Sequence, residues 1–214
     1  LEHKININKT ARFFTFGNQE TAENIWIVLH GYAQLPAYFI RKFNTLDPEK
    51  NFIVAPEGIH RLYIKGTSGR VGASWMTKEA REDDIQDNHA FLNQLATTLL
   101  NKKSYKKRFL LGFSQGGATA SRWHNSGNFK ANHFILWASV FPEDISFEAD
   151  ENTLNVSDNY FVVGNEDPFF DGKHDEVQQV FAAQNFNIQI KTFDGKHDIQ
   201  TEMLHEIAQE CETK

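Results

Sequence analysis

Lys107-Arg108-Phe109-Leu110-Leu111-Gly112-Phe113-Ser114-Gln115-Gly116-Gly117-Ala118-Thr119-Ala120 is the stretch that decides the fold. A short apolar run ends in Gly112-Phe113-Ser114-Gln115-Gly116, and small residues that tolerate a helix follow. Strand, sharp turn and helix in that order make G-x-S-x-G a nucleophile elbow, with the serine hydroxyl held above the sheet where a base can reach it. The glycines belong there because so tight a turn strains the backbone and leaves strand and helix little room between them. The competing reading is an ordinary strand-to-helix turn with a capping serine. The apolar strand before Ser114 and Gly116-Gly117-Ala118 after it weigh against that.

On either side of the elbow the chain alternates strand and helix. Residues 25–29 (Ile-Trp-Ile-Val-Leu) and 51–55 are continuous apolar runs, as expected of strands buried on both faces. Residues 133–138, 159–163 and 187–193 read as further strands. Helices are expected at 37–44, 82–100, after the elbow, and near 173–184 and 199–209; in the second, Ile85, Leu92, Leu95, Ala96 and Leu99 keep helical spacing. Residues 4–8 and 11–16 suggest a hairpin at the sheet edge, and residues 58–76, with Gly66, Gly69 and Gly72, a long loop beside a site. The pattern predicts an α/β fold: a mostly parallel central sheet with helices on both faces. Such sheets place ligands at the carboxyl ends of their strands, where His30, Ser114, Asp167 and His197 fall.

A chain of 214 residues without linker, repeat or low-complexity stretch suits one domain across residues 1–214. Its net charge of -6 argues against nucleic acid or an anionic membrane as partner. The basic run 102–108 is expected to close a helix, where cations suit the dipole. One cysteine, Cys211, excludes an internal disulfide and fits a reducing compartment, the cytoplasm being the expectation. No run has the length of a membrane span; the chain opens on Leu1, which leaves a removed leader open. Oligomeric state, a homodimer included, is not legible.

A serine attacks only if a base takes its proton, and the base needs an orienting acid; in this topology the order is Ser, Asp or Glu, then His. His197 follows a strand in Asp194-Gly195-Lys196-His197, whereas His124 and His133 are poorly placed and His174 and His205 fall on expected helices. Asp167 follows Tyr160-Phe161-Val162-Val163-Gly164 by three residues and is fixed by Pro168; Glu166 and Asp171 are rivals in the same loop. Asp198 adjoins the base but suits helix capping better. Acyl transfer also needs two backbone donors for the oxyanion, here the amides of Gln115 and, after strand 25–29, of Tyr32. His30, His174-Asp175 and His197-Asp198 invite a metal reading, but H-E-x-x-H and H-x-H are both missing and no metal is expected.

Leu29-His30-Gly31, Pro56-Glu57-Gly58, Ser74-Trp75, Gly112-Phe113-Ser114-Gln115-Gly116-Gly117, Gly164-Asn165-Glu166-Asp167 and Gly195-Lys196-His197 together resemble the phospholipase/carboxylesterase family of α/β-hydrolases, which includes acyl-protein thioesterases and small bacterial carboxylesterases. The likeness runs over nearly the whole chain. It implies Ser114, Asp167 and His197 as triad, Tyr32 and Gln115 amides as oxyanion hole, and no cofactor. Lys196 before the base, Pro168-Phe169-Phe170 after the acid and Tyr32-Ala33-Gln34 after His30-Gly31 depart from the family pattern and reshape the rim.

The expected activity is hydrolysis of a small-molecule ester through an acyl-enzyme. A thioesterase or lysophospholipase is the alternative within the class, and a silent binding scaffold the alternative outside it; a peptidase is weaker. The interval between the strands ending near Ser139 and starting near Asn159 is too short for a large cap domain. Trp75, Met76, Phe169 and Phe170 are candidates to line an open, shallow acyl pocket, and short acyl chains of about two to six carbons are expected. For a chain with 19 Phe, each aromatic could equally be core.

Overall fold

The computed structural model describes residues 1–126, 129–145, 157–173, 177, 179, 181 and 187–213. The apolar runs form strands β1 (Phe13–Phe16), β2 (Asn24–Leu29) and β3 (Asn51–Pro56), and later β6 (Lys107–Phe113), β7 (His133–Trp137), β8 (Asp158–Gly164) and β9 (Ile188–Phe193). They make one seven-stranded sheet in the order β1-β3-β2-β6-β7-β8-β9. Only β1 runs antiparallel, against β3; every other pairing is parallel. Every residue of β2, β3 and β7 is buried, which is why their sequences show no polar alternation.

Register and side-chain contacts place helices on both faces. Ile135 lies opposite Tyr160 and Leu136 opposite Phe161, so alternate residues report alternate faces. On one face, Tyr160 meets Cys211 of α4 (Thr201–Thr213), and Trp137 donates its indole N–H to the carbonyl of Asp198 just before that helix. Phe113 is on this face too, against Phe39 of the short α1 (Pro36–Phe39). On the other face, Phe134 stacks on His124 of α3 (Gln115–Ser126), and α2 (Arg81–Leu100) packs on α3, with Trp123 donating to Asn93. Trp26 and Phe109, paired across β2 and β6, stack at 3.9 Å, an arrangement worth about 1 kcal/mol beyond the area it buries.

Several expectations need correction. Residues 4–8 form no strand, and β1 pairs with β3 rather than in an edge hairpin. Residues 58–76 are not one long loop: β4 (His60–Tyr63) and β5 (Val71–Ser74) make a separate antiparallel hairpin. Gly66 and Gly69, both at positive φ, supply its turn. The helix expected at 37–44 is one α-turn continued as a 3-10 turn, Ile40–Phe43. The basic run does not close a helix. α2 ends at Leu100, and the run's lysines reach elsewhere: Lys103 to the carbonyl of Glu20, Lys106 to Glu23 and Lys107 to the carbonyl of Cys211. Most of the helix expected near 173–184 lies outside the described residues. No large cap interrupts the fold among the described residues, and only 20 residues separate Trp137 from Asp158.

Candidate active site

At the end of β6, Ser114 sits at φ 52, in the left-handed region that a side chain occupies at a cost of about 1–3 kcal/mol. The surroundings impose it. Ser114 N–H donates to the carbonyl of Trp137 at the end of β7, and α3 begins at the next residue. Strand and helix then converge so closely that a Cβ on Gly112 would lie 2.5 Å from Cα of Gly117, and one on Gly116 would lie 2.4 Å from the carbonyl oxygen of Leu29. The glycines flanking Ser114 are required by this approach.

Asp167 and His197, the expected acid and base, follow the ends of β8 and β9. Asp167 is 1% exposed. His197 Nδ1–H donates to its Oδ2 at 2.7 Å, and its Oδ1 accepts the backbone N–H of Phe169 at 2.9 Å. Both carboxylate oxygens are therefore used, which holds the ring in one orientation and fixes the proton on Nδ1. Glu166 and Asp171 are exposed and play no part in this bond. The two loops are stitched by Asn165, which donates to Asp194 at 2.7 Å and accepts from Gly195 N–H. On its other side the imidazole meets Phe113, the residue before the serine, with ring centroids 4.9 Å apart. Asp198 does not cap α4: its Oδ1 accepts the N–H of Ile199 and pairs with Lys42, while Gln200 accepts the N–H of Met203.

The loop after β2 lies directly against the elbow, since a Cβ on Gly31 would lie 3.2 Å from Cβ of Ser114. His30, fully buried, donates from Nδ1 to the carbonyl of Gly31 at 2.8 Å and accepts the N–H of Gly58 at Nε2, 3.0 Å. Burial lowers its pKa to about 4, only partly offset by the Gly31 carbonyl and Glu57, so the ring is neutral and keeps this tautomer. The Gly31 carbonyl belongs to the same peptide plane as the Tyr32 N–H. That bond, and a second from Gln34 N–H to the same carbonyl, therefore orient the Tyr32 N–H. Gln115 heads α3, where the first N–H groups lack intrahelical acceptors.

Among the pocket candidates, Trp75 is fully buried and packs on His30, donating its indole N–H to the His30 carbonyl at 2.8 Å. Met76 is partly buried. Phe169 is 65% exposed and covers the His197 ring at 4.6 Å, while Phe170 is core against Phe161. Phe169 and Phe170 border an apolar groove of about 300 Å³ with Val140, Phe141 and Phe181. The groove also includes Ser139, beside Gly117 of the elbow helix, together with Glu143 and Lys173; Phe169, on its border, packs on the His197 ring. A larger cavity of about 650 Å³ lies between residues 7–13 and α2 and contains none of Ser114, Asp167 and His197. The smaller groove likewise contains none of the three, but its Phe169 packs on His197, a contact that the larger cavity lacks. Among the described residues no cluster of His, Cys, Asp and Glu could hold a metal. Nor is any helix there long and apolar enough to cross a membrane.

Sequence reasoning missed two groups that shape the site: the carboxamide of Gln115, bonded to residues 74–76, and Trp75 as a brace beneath the loop after β2. Only the pairing of a polar side chain with a distant loop reveals them.

Similar solved structures span nearly the whole chain. Acyl-protein thioesterase 2 from Zea mays aligns over 95% of this chain and 99% of its own, with TM-score 0.69 and 18% identity. A carboxylesterase from Mesorhizobium loti aligns over 95% of both chains, with TM-score 0.73 and 14% identity. The Bacillus cereus carboxylesterase aligns over 94% of this chain and 93% of its own, with TM-score 0.66 and 14% identity. At such identities these likenesses establish the fold, which is that of the α/β-hydrolases. No curated protein matches significantly by sequence. The sequence pattern of the phospholipase/carboxylesterase family matches residues 11–213. The chain therefore belongs to the phospholipase/carboxylesterase family of α/β-hydrolases.

Proposed function

We propose that the protein is a serine carboxylesterase that hydrolyses small, short-chain acyl esters through an acyl-enzyme. The observation that carries this reading is the joint arrangement at the strand ends. Ser114 is held in strained left-handed backbone, and a histidine locked by a buried aspartate packs against the residue before it.

In this reading His197 Nε2 takes the Ser114 hydroxyl proton as Oγ attacks the ester carbonyl. The carbonyl π electrons move to oxygen, and the N–H groups of Tyr32 and Gln115 stabilise that oxyanion. When the tetrahedral intermediate collapses, the C–O bond to the alcohol breaks and His197 returns the proton to the leaving oxygen. Water then attacks the acyl-enzyme with His197 again as base, releasing the acid and restoring Ser114. Asp167 stays ionised and stabilises the imidazolium. The groups are all supplied by the chain.

The groove bordered by Phe169, which packs on His197, suits the acyl chain: its lining is mainly apolar, with Glu143 and Lys173 beside it, and Ser139 brings it next to Gly117 of α3. An acyl-protein thioesterase among the structural neighbours keeps a thioester as the alternative leaving group. The test is reaction with a fluorophosphonate followed by peptide mapping. Stoichiometric modification of Ser114 is expected; no modification, or a different serine, would refute the reading.

A further inference from the structure

Two N–H donors proposed for the oxyanion sit on separate elements, and one short segment spans them. Ala73 accepts the N–H of Ala33 at 2.8 Å and donates its own to the carbonyl of Gln34 at 3.0 Å. Trp75 adds its indole bond to His30, and Asn88 of α2 holds the Trp75 carbonyl at 2.6 Å. That side of the segment is tied to the loop after β2 by several bonds from several residues. Towards the elbow, the hydrogen bonds to the backbone of residues 74–76 come from the Gln115 side chain, while two turns further along α3 Arg122 reaches only the Met76 sulfur, at 3.7 Å. Gln115 Oε1 accepts the Trp75 N–H at 3.1 Å, Gln115 Nε2 donates to the Met76 carbonyl at 2.9 Å, and the Ser74 hydroxyl lies within hydrogen-bond reach of both ends.

We propose that the Gln115 side chain is a positioning group: its carboxamide sets the spacing between the Tyr32 and Gln115 N–H donors by clamping the elbow to residues 74–76. The inference rests on the serine-hydrolase reading above and deepens it. A carboxamide pairs with the segment as another peptide would, one acceptor facing an N–H and one donor facing a carbonyl. Glutamate offers acceptors at both places, so its ionised form sets an oxygen against the Met76 carbonyl. Methionine fills the space and makes neither bond. The backbone N–H of residue 115 is retained in both variants. Hydrogen-bond donors act on a developing oxyanion only when already in place, and a misplacement of about 1 Å can cost about 100-fold.

The experiment uses the whole chain with Gln115→Met and Gln115→Glu, the second being isosteric in case the first folds poorly. Butyryl-ester kinetics, fluorophosphonate labelling rate and the affinity of a trifluoromethyl ketone are compared with wild type. A lost clamp lowers kcat by about 10- to 100-fold, leaves KM within about threefold, and weakens the ketone by the factor lost in kcat/KM. The Gln115→Glu to wild-type activity ratio should also rise as pH falls, because a protonated carboxyl regains a donor towards Met76; the titration of His197 cancels in that ratio. A merely structural glutamine would change thermal stability and leave all of these in place. If wild type labels at Ser114 but both variants keep kcat and ketone affinity, the clamp is overturned alone. If wild type does not label, the hydrolase reading falls and the clamp with it.

Discussion

Acid should destabilise this protein before its carboxylates titrate. His30 and His124 are both fully buried, and burial lowers each pKa to about 4. For His124 the charge of Lys130 adds to burial, against a smaller opposing bond to the Phe129 backbone. In the unfolded chain each returns to the ordinary imidazole value of 6.5. Between pH 6.5 and pH 4 the unfolded state therefore binds more protons, so stability falls as pH falls across that window. By pH 5 the unfolded rings are almost fully charged, and each histidine has removed about 2 kcal/mol relative to pH 8. That figure barely depends on how far below 5 the folded pKa lies. Together they remove about 4 kcal/mol, a large share of the 5–15 kcal/mol that typically holds a domain folded. Two carboxylates paired with arginines act later. Burial opposes the charge on Glu57, but Arg12 and Arg61 outweigh it and keep the group below its usual 4.5. Asp144, bonded to Arg122, is likewise held down. Their contributions are present above the unfolded values and are lost only as pH falls through the lower folded values. Urea unfolding followed by tryptophan fluorescence at about pH 8, 7, 6 and 5 measures the slope, and His124→Gln should roughly halve it. A stability flat to within about 1 kcal/mol over that range, or an unchanged slope in His124→Gln, would refute the reasoning.

Ser114→Ala should reduce ester turnover by about 10⁴-fold or more; activity within tenfold of wild type would remove Ser114 as nucleophile. Ser114→Gly should be equally inactive but about 1 kcal/mol more stable than Ser114→Ala in thermal unfolding, because glycine relieves the left-handed backbone at φ 52; equal stability would contradict the strain. Asp167→Asn should cost about 10⁴-fold in kcat by favouring the wrong imidazole tautomer, while the exposed Asp171→Asn stays near wild type; a comparable loss at Asp171 would reassign the acid. Specificity constants on acetyl, butyryl, octanoyl and palmitoyl esters of one leaving group should peak at the short chains, each accommodated CH₂ adding at most about 0.8 kcal/mol; a rise through palmitoyl would indicate a long tunnel.

The parts legible in the sequence were those whose signal is local. Gly112-Phe113-Ser114-Gln115-Gly116 announces its turn because close backbone approach demands glycine at 112 and 116, on either side of the strained Ser114. Fully buried strands such as β2 and β7 announce themselves as unbroken apolar runs. The hairpin β4–β5 did not: His-Arg-Leu-Tyr is short and half-exposed, and Val-Gly-Ala-Ser, although buried from Gly72 on, is only four residues long and made mostly of small residues. Residues 4–8 erred in the other direction: Ile5 and Ile7 alternate with polar residues as a strand should, yet both are exposed and nothing pairs with them in the described sheet. Trp75 looked like a pocket residue since it follows a glycine-bearing stretch; its bond to the His30 carbonyl makes it a brace. Such roles depend on contacts over some forty positions, which no local pattern encodes.

The sheet order also separates chemistry from its apolar surroundings. Ser114 follows β6, Asp167 follows β8, His197 follows β9, and the His30–Gln34 loop follows β2. Between β6 and β8 lies β7, whose end carries none of these groups. It turns instead through Ala138, at φ 47, into Ser139, Val140 and Phe141, which border the groove with Phe169. Trp137, its last residue, gives its carbonyl to the Ser114 N–H and its indole to the chain before α4, so β7 props both Ser114 and the helix that follows His197. The alignment of Ser114, Asp167 and His197 therefore depends on the register of β6 to β9, whereas the apolar surface beside them depends on side chains after Trp137. Val140, 68% exposed, can change in size without disturbing a ladder hydrogen bond or the Asp167–His197 pair. On the reading proposed above, acyl preference and the reacting groups are thus carried by different residues, so that one arrangement of serine, histidine and aspartate would serve different esters.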